Sequence, residues 1–303
     1  MILVGGTASK GLTRRLAQIM NVEIADVIIK RFPDQEVYIR IMSKLADKDV
    51  VIVQTTHPDE NLFELLVLQE TVRAQKPRSM TTIIPYFGYG RQDRAFNEGE
   101  VVTASMVAKM IQRTTHRVIL VDPHKEYITD FFDIPVRSLT AVKPLSERLK
   151  DLKPDLILAP DIGAYPRVKK VAEVIGCQSD HLDKHRINGE TVEMEDKELK
   201  VDGKIVAIVD DIISTGGTMA AAIKQLKSQG AKAVYAACTH GLFIGGAIEK
   251  LTAAGCERVI ATDTLEGQFS FVSVASIIAE ELQGKAPKGG AKLSKDAPGT
   301  FDE

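Results

Sequence analysis

Seven short, continuous apolar runs recur along this chain: "DVVIVQ" (49–54), "MTTIIPY" (80–86), "RVILVD" (117–122), "DLILAP" (155–160), "KIVAIVDD" (204–211), "AVYAAC" (233–238) and "RVIATD" (258–263). They do not alternate apolar with polar residues, so they read as strands covered by helices on both faces. Between them lie helix-like segments such as "NLFELLVLQETVRA" (61–74) and "GGTMAAAIKQLKSQG" (216–230), the second closed by Gly230 as a helix stop. This alternation predicts an α/β protein with mainly parallel, doubly wound sheets. A length of 303 residues, 44% of them apolar, suits two such domains. The chain is expected to divide near 140–153, where "TAVKPLSERLKDLKP" is helical in character and poor in strand signals. The expected domains are 1–145 and 146–285, although "SIIAEEL" (276–282) could cover either half. The Gly-, Pro- and Lys-rich remainder, 286–303, reads as a mobile tail.

Charge and cysteine content narrow the function. The formal net charge of -2 offers no general attraction for nucleic acid or an anionic membrane, and neither is expected as a partner. No apolar run reaches the ~20 residues of a membrane span. The opening "MILVGGTASK" reads as a strand entering a loop, not as a secretory leader. Cys177, Cys238 and Cys256 form neither a close pair nor a metal-ligand spacing, which fits a reducing cytoplasm.

The most informative stretch is "VDDIISTGGT" (209–218). An apolar strand ends in Asp210 and Asp211, and Ser214, Thr215, Gly216, Gly217 and Thr218 lead into a helix. Ligands of open α/β sheets bind beyond the carboxyl ends of strands. Glycines let backbone amides converge, a helix N-terminus favours an anion, and hydroxyls add donors. The loop therefore suits a phosphate, and the two acids suit sugar hydroxyls. The pattern resembles the phosphoribosyl-diphosphate motif of phosphoribosyltransferases and ribose-phosphate pyrophosphokinases, and it does not separate a consumer of that diphosphate from its producer.

Other segments separate them. "RFPDQEVYIRI" (31–41) spaces Phe32, Asp34 and Glu36 at alternate positions, which in an extended segment face one way. Such a face could stack on a purine and accept from its amino group. "IPYFGYGRQDR" (84–94) follows a strand with Arg91, Gln92, Asp93 and Arg94, and arginines there suit phosphate oxygens. "VDPHKEYITDFFDIPV" brings Asp122 and His124, "LAPDIGAYPR" brings Asp161 with a small-residue turn at Gly163 and Ala164, and "HLDKHRINGE" brings Lys184 and Arg186. Each also fits a plain structural role when taken singly. Phe32 suits a core, the arginines a surface ion network, His124 a structural histidine, and Lys184 with Arg186 solvated charge.

Together, in this order, these segments resemble the ribose-phosphate pyrophosphokinase family from Met1 to Leu282. The specific matches are "YFGYGRQDR", "FFDIPV", "APDIG" and "VDDIISTGGT", and the "RQDRAFNEGE" loop looks closest to archaeal members. The resemblance implies two phosphoribosyltransferase-like domains related by duplication and a homo-oligomer, with active sites at the junction of the domains and a neighbouring subunit. It also implies diphosphoryl transfer from ATP to D-ribose 5-phosphate with Mg2+. It places Phe32, Asp34, Gln35, Glu36, Arg91, Gln92 and Arg94 at ATP, and Lys184 and Arg186 at the catalytic basic pair. Arg186, Asp210, Asp211, Ser214, Thr215, Gly216, Gly217 and Thr218 would hold ribose 5-phosphate, and His124 and Asp161 magnesium.

Three positions depart from the family pattern. Gln35 stands where glycine is common, and it would be strained if the backbone there needs a positive φ. Ala164 replaces a glycine and could narrow the diphosphate turn. Ser214 replaces a frequent aspartate, which removes a negative charge near an anion. The segment 94–104 reads equally as a loop able to close over the site or as a static connection. Two competing readings are a phosphoribosyltransferase and a non-catalytic family member that binds nucleotide without turnover.

Overall fold

The apolar runs form strands, and each half of the chain sorts its strands in the same order. The computed structural model describes residues 1–182, 184–186, 192–194 and 197–285, with backbone alone for 184–186 and 192–194. The tail expected over 286–303 lies outside the described residues.

The first unit comprises Met1–Thr140 and the chain from Ala275 onward. Its elements are β1 (Ile2–Gly5), α1 (Lys10–Met20), β2 (Glu23–Ile24), β3 (Val27–Arg31), β4 (Val37–Ile41), β5 (Asp49–Val53), α2 (Asp59–Arg73), β6 (Ser79–Ile84), α3 (Thr103–Gln112), β7 (Arg117–Val121) and β8 (Val136–Leu139). The second unit, Ala141–Val274, contains α4 (Val142–Lys150), β9 (Leu156–Ala159), α5 (Tyr165–Ile175), β10 (Gln178–His181), β11 (Lys184–Arg186), β12 (Val192–Met194), β13 (Ile205–Ile213), α6 (Gly217–Ser228), β14 (Ala233–Gly241), α7 (Ala247–Ala253), β15 (Arg258–Thr262) and β16 (Ser270–Val272). The last helix, α8 (Ala275–Leu282), returns to the first unit.

The two six-stranded sheets run β2-β1-β5-β6-β7-β8 and β10-β9-β13-β14-β15-β16. All neighbours within them are parallel. In each unit an antiparallel hairpin, β3–β4 or β11–β12, is inserted after the second strand of the sheet. Counted without the hairpins, both sheets read 2-1-3-4-5-6. The same order and the same insertion twice are what a duplicated domain leaves behind.

Continuous apolar strands are buried on both faces, as their composition requires. In the first unit Ile52, Ile84 and Leu120 pack with Leu65 and Leu68 of α2 and Val107 and Ile111 of α3. In the second, Ile208, Val234 and Ala236 pack with Ile223 and Leu226 of α6. A fully buried Leu or Ile contributes about 1.5–3 kcal/mol, so these layers hold each sheet in place. Gly230 ends α6 as expected: its φ is 87°, and a Cβ there would lie 2.3 Å from Asp202 Oδ1.

Two boundaries differ from the expected ones. The first unit gives way to the second between Thr140 and Ala141, slightly before 145. The helix over 275–282 joins the first unit and not the second, where a boundary at 285 had put it. The cause is specific. Ile277 and Ile278 are buried, α8 lies against α1, and the Glu281 carboxylate accepts from Arg117 of β7 and from Arg137 of β8 (Nε to Oε2, 3.2 Å). A carboxylate this enclosed needs paired cations, and the first unit supplies both. In addition, β13 continues past Asp211 to Ile213, because β14 is long enough to pair with it as far as Gly241.

Candidate active site

A sheet ordered 2-1-3-4-5-6 has its topological switch point between its first and third strands, and ligands of open α/β sheets collect there. In the second unit these strands are β9, followed by Asp161, and β13, which carries residues 210–213 and leads into 214–218. Asp210 and Asp211 lie within β13, as expected, but the strand runs two residues beyond them. Asp210 is partly buried, and its carboxyl is pushed well above the usual range by burial first, then by the adjacent Asp211 and by Asp161. Asp211, 8% exposed, has Oδ1 3.9 Å from Arg167 Nη1. Crowded, desolvated carboxylates of this kind suit a ligand rich in donors or a cation.

The following loop turns on Gly216, the residue before α6, at φ 73°. A Cβ there would press within 3.2 Å of Ala247, so both conformation and space require glycine. The carbonyls of Ser214 and Thr215 are drawn aside: Ile244 N donates to Ser214 O (3.1 Å) and Lys250 Nζ to Thr215 O (3.4 Å). The amides of Gly217 and Thr218 open the helix and have no intrahelical acceptor, which makes this end attractive to an anion.

Asp161 also shapes its own turn. Its Oδ1 accepts from Ala164 N at 3.0 Å, and α5 starts immediately afterwards. Ala164 sits at φ -83°, ψ -15°, an ordinary right-handed conformation, so this departure from glycine introduces no backbone strain. Arg167, in the first turn of α5, was not singled out from the sequence. Its signal was weak but present: a cation six residues after an acid that follows a strand.

Lys184 and Arg186 occupy β11, with Lys184 opposite Met194 and Arg186 opposite Val192 of β12. Their side chains lie outside the described residues. The chain returning from this hairpin is fastened to β10 by Lys197, whose Nζ donates to Asp180 Oδ1 (2.6 Å) and to His181 O (2.7 Å).

The first unit treats its own switch point differently. Between β1 and β5, Gln54 Nε2 donates to Glu64 Oε1 (2.8 Å), and Thr7 donates to the same carboxylate from N and Oγ1 (both 2.7 Å). Ala8 N donates to Gln54 Oε1 at 3.2 Å. The place that holds a phosphate-type loop in the second unit is thus filled here by the protein's own side chains.

The candidate ATP residues lie elsewhere in the first unit. Phe32 to Glu36 are not extended, as their alternation had suggested; they are the turn between β3 and β4. Phe32 N donates to Glu36 O, Gln35 N to Phe32 O (both 2.9 Å), and Glu36 N to Asp34 Oδ1 (3.1 Å). The turn brings these residues together by proximity, and alternate spacing gives them no common face. Phe32 is 42% exposed, stands edge-on to Tyr38 (centroids 5.7 Å apart), and has Lys30 Nζ 5.8 Å from its ring centre. A half-free aromatic face at a hairpin tip can take a base by stacking.

Gln35 has φ 73°, the left-handed conformation that the family glycine would adopt without penalty. A non-glycine residue there costs about 1–2 kcal/mol, and glycine gives back roughly 0.5–1 kcal/mol through the freer unfolded chain. Gln35→Gly is therefore expected to stabilise the protein by about 0.5–1 kcal/mol, a rise of ~1–3 °C in a thermal melt. A lower melting temperature would contradict the strain.

Arg91 and Arg94 are exposed, and Arg94 lies over the Phe96 ring at 5.1 Å. Gln92 is partly committed to α3: Thr103 Oγ1 donates to its Oε1 (2.7 Å) and Ala104 N to its backbone O (3.2 Å). Its amide nitrogen is the half suited to a phosphate. Asp93 is buried and accepts from Tyr127 Oη, a structural task. His124 borders the same loop, its Cβ 3.6 Å from where a Cβ on Gly90 would sit. Within 94–104, Glu100 closes a turn on itself by accepting from Phe96 N (2.8 Å) and from Asn97 Nδ2. Among the described residues no three His, Cys, Asp or Glu side chains form a metal-holding group, and no helix is long and apolar enough to cross a membrane.

Comparison with known proteins agrees with this geometry. A family model described as the N-terminal domain of ribose phosphate pyrophosphokinase matches residues 1–114, and one described as a phosphoribosyl transferase domain matches 136–260. The ribose-phosphate pyrophosphokinase of Methanothermobacter thermautotrophicus is 38% identical over 284 residues, covering 93% of this chain and 100% of that protein. That of Methanosarcina acetivorans is 39% identical over 285 residues, covering 93% and 99%. The crystal structure of phosphoribosylpyrophosphate synthetase from Mycobacterium smegmatis matches with a TM-score of 0.81 at 27% identity, over 93% of this chain and 97% of that one.

Proposed function

The chain belongs to the ribose-phosphate pyrophosphokinase family, and from that premise we propose how its own residues divide the work. The reaction is transfer of the β,γ-diphosphoryl group of ATP to the C1 hydroxyl of D-ribose 5-phosphate. It gives 5-phospho-α-D-ribose 1-diphosphate and AMP. The observation that carries the assignment of roles is the contrast between the switch points: crowded with acids in the second unit, filled by Gln54 and Glu64 in the first. One sugar-phosphate cradle among the described residues leaves the first unit to serve the nucleotide.

In this reading residues 214–218 hold the 5-phosphate on the amides that open α6, with hydroxyl help from Ser214, Thr215 and Thr218. Asp210 and Asp211 accept from the ribose hydroxyls. The adenine lies against Phe32, with Asp34, Gln35 and Glu36 around it at the hairpin turn. Arg91, the Gln92 amide nitrogen and Arg94 take the phosphates. The C1 oxygen attacks the β-phosphorus, and the bond to the oxygen bridging the α- and β-phosphates breaks, so that oxygen departs with AMP. Lys184 and Arg186 stabilise the charge that develops on the transferred group and on the leaving AMP.

Magnesium, when bound with the nucleotide, neutralises phosphate oxygens. The residues fit a hydrated ion with few protein ligands, because mutual repulsion around Asp210, Asp211 and Asp161 rewards a nearby cation. Asp161 in the second unit and His124 in the first are each proposed as magnesium ligands. Three free cysteines support a reducing cytoplasm as the location. A homo-oligomer is supported by Met106 and Met110, exposed one turn apart on α3.

Incubation with Mg2+, ATP and ribose 5-phosphate is expected to release AMP and the sugar diphosphate in equal amounts. Release of ADP, or a reaction only with preformed diphosphate and a nucleobase, would overturn the assignment. Nucleotide binding without turnover would identify a non-catalytic member.

A further inference from the structure

The loop that carries Arg91 is firmly held at both ends and by one side chain in the middle. On its entry side, Gly88 N donates to Thr56 Oγ1 (2.7 Å), and Tyr86 O accepts from Thr56 N (3.1 Å) and from Thr55 Oγ1 (3.0 Å). A Cβ on Gly88 would come within 2.8 Å of Thr56 O, so the backbone there is pressed against the end of β5. On its exit side, Gln92 is tied to the start of α3 through both its side chain and its carbonyl. Only Tyr89, Gly90 and Arg91 lie between these anchors.

Tyr89 is unusual in that interval. It adopts φ 63°, a conformation in which a tyrosine is strained and a glycine would not be. It is also 39% exposed, so burial of its ring does not explain it. What it does make is a hydrogen bond from Oη to Asp59 Oδ1 at 2.8 Å, reaching the first residue of α2. Gln92 N donates to Tyr89 O (2.8 Å), which closes the turn whose inner residues are Gly90 and Arg91. Asp59 and Arg91 both act electrostatically on His57. The His57 pKa is lowered chiefly by burial, with Asp59 opposing that shift and Arg91 adding to it. The anchored Tyr89 is two residues from the guanidinium it would serve.

We propose that Tyr89 is a positioning residue: its hydrogen bond to Asp59 holds the 89–92 turn so that Arg91 is presented to the phosphates of ATP. This rests on Arg91 being an ATP ligand. A charge-assisted bond from a phenol to a carboxylate is directional, and it offsets the strain of the left-handed turn. Without it, the turn can relax towards conformations a tyrosine prefers, and the guanidinium moves with it. The nucleotide is then bound less tightly, while the sugar-phosphate side is untouched.

The test compares Tyr89→Phe, Asp59→Ala, the double variant, Asp59→Asn and Arg91→Ala, each measured for kcat, for KM of both substrates and for thermal stability. Tyr89→Phe and Asp59→Ala are each expected to raise KM for ATP about five- to tenfold, with kcat and KM for ribose 5-phosphate within about twofold. The double variant should be no worse than either single one, because both remove the same bond. Asp59→Asn keeps an acceptor oxygen and should recover much of what Asp59→Ala loses. If Arg91→Ala raises KM for ATP and Tyr89→Phe does not, the positioning role is wrong. It is equally wrong if Tyr89→Phe raises both KM values together with a fall in melting temperature, since that marks general destabilisation. If Tyr89→Phe raises KM for ATP and Arg91→Ala does not, the assignment of Arg91 fails instead.

Discussion

Lys184→Ala is expected to lower turnover roughly a hundred- to a thousandfold while changing ATP affinity only modestly. Diphosphoryl transfer leaves little covalent work to the protein; rate comes from positioning and from stabilising charge as it shifts. A preorganised cation aimed at developing charge is worth about 3–4 kcal/mol, which is a factor of that size in rate. Lys184 lies in a hairpin strand of the second unit, remote in sequence from the adenine-side turn at Phe32–Glu36 and from Arg91, so ground-state binding of the nucleotide has other supports. Rates of AMP release together with a nucleotide titration check this. Turnover within a few-fold of the parent would remove Lys184 from the chemistry.

Asp210→Asn is expected to weaken ribose 5-phosphate by about 10- to 100-fold, because an amide turns one of the two acceptor oxygens into a donor facing the ribose hydroxyls, at a cost of ~1.5–3 kcal/mol. ATP binding should stay within about twofold. The same substitution should stabilise the folded protein at neutral pH. The folded-state pKa of Asp210 is raised well above the ordinary aspartate range by burial and by its acidic neighbours. A raised carboxyl contributes its stability below the unfolded pKa and loses it as pH rises through the folded one. Above that window the ionised group works against the fold, and asparagine does not ionise. Melts at pH 8 should therefore favour Asp210→Asn, and the advantage should shrink towards pH 4. Equal effects on the two substrates, or a variant less stable at pH 8, would count against this account. A binding site that weakens its own fold is the expected trade-off between function and stability.

The parallel sheets were legible because strands buried on both faces must be apolar throughout, and "KIVAIVDD" and "RVILVD" could hardly be anything else. The destination of α8 was not legible. An amphipathic helix shows that it needs a partner, not which one; the choice was made by Arg117 and Arg137 facing Glu281, about 140 to 160 positions away in sequence. The turn at Phe32 misled because Phe, Asp and Glu at alternate positions imitate a strand. The Pro33-Asp34 pair was the better signal, since it favours a turn. The strain expected at Gln35 from the missing family glycine is present at φ 73°. Ala164 is right-handed, so its departure from glycine adds no backbone strain. The double duty of Gln92 and the part of Arg167 depend on contacts between elements, which residue types alone do not encode. So does the sealing of the first switch point. "GGTAS" after β1 looks as open to a phosphate as the loop after β13, until Gln54 and Glu64 are found filling the space.

The return of α8 to the first unit also sets an order of assembly during synthesis. A ribosome completes the second unit, Ala141–Val274, before it makes the helix that covers α1. The first unit must wait with the Arg117 and Arg137 side chains lacking their shared carboxylate while the later-made unit already has all its strands. The N-terminal half is thus the last to finish, and a chain stalled after Val274 carries one complete unit and one still missing its closing helix.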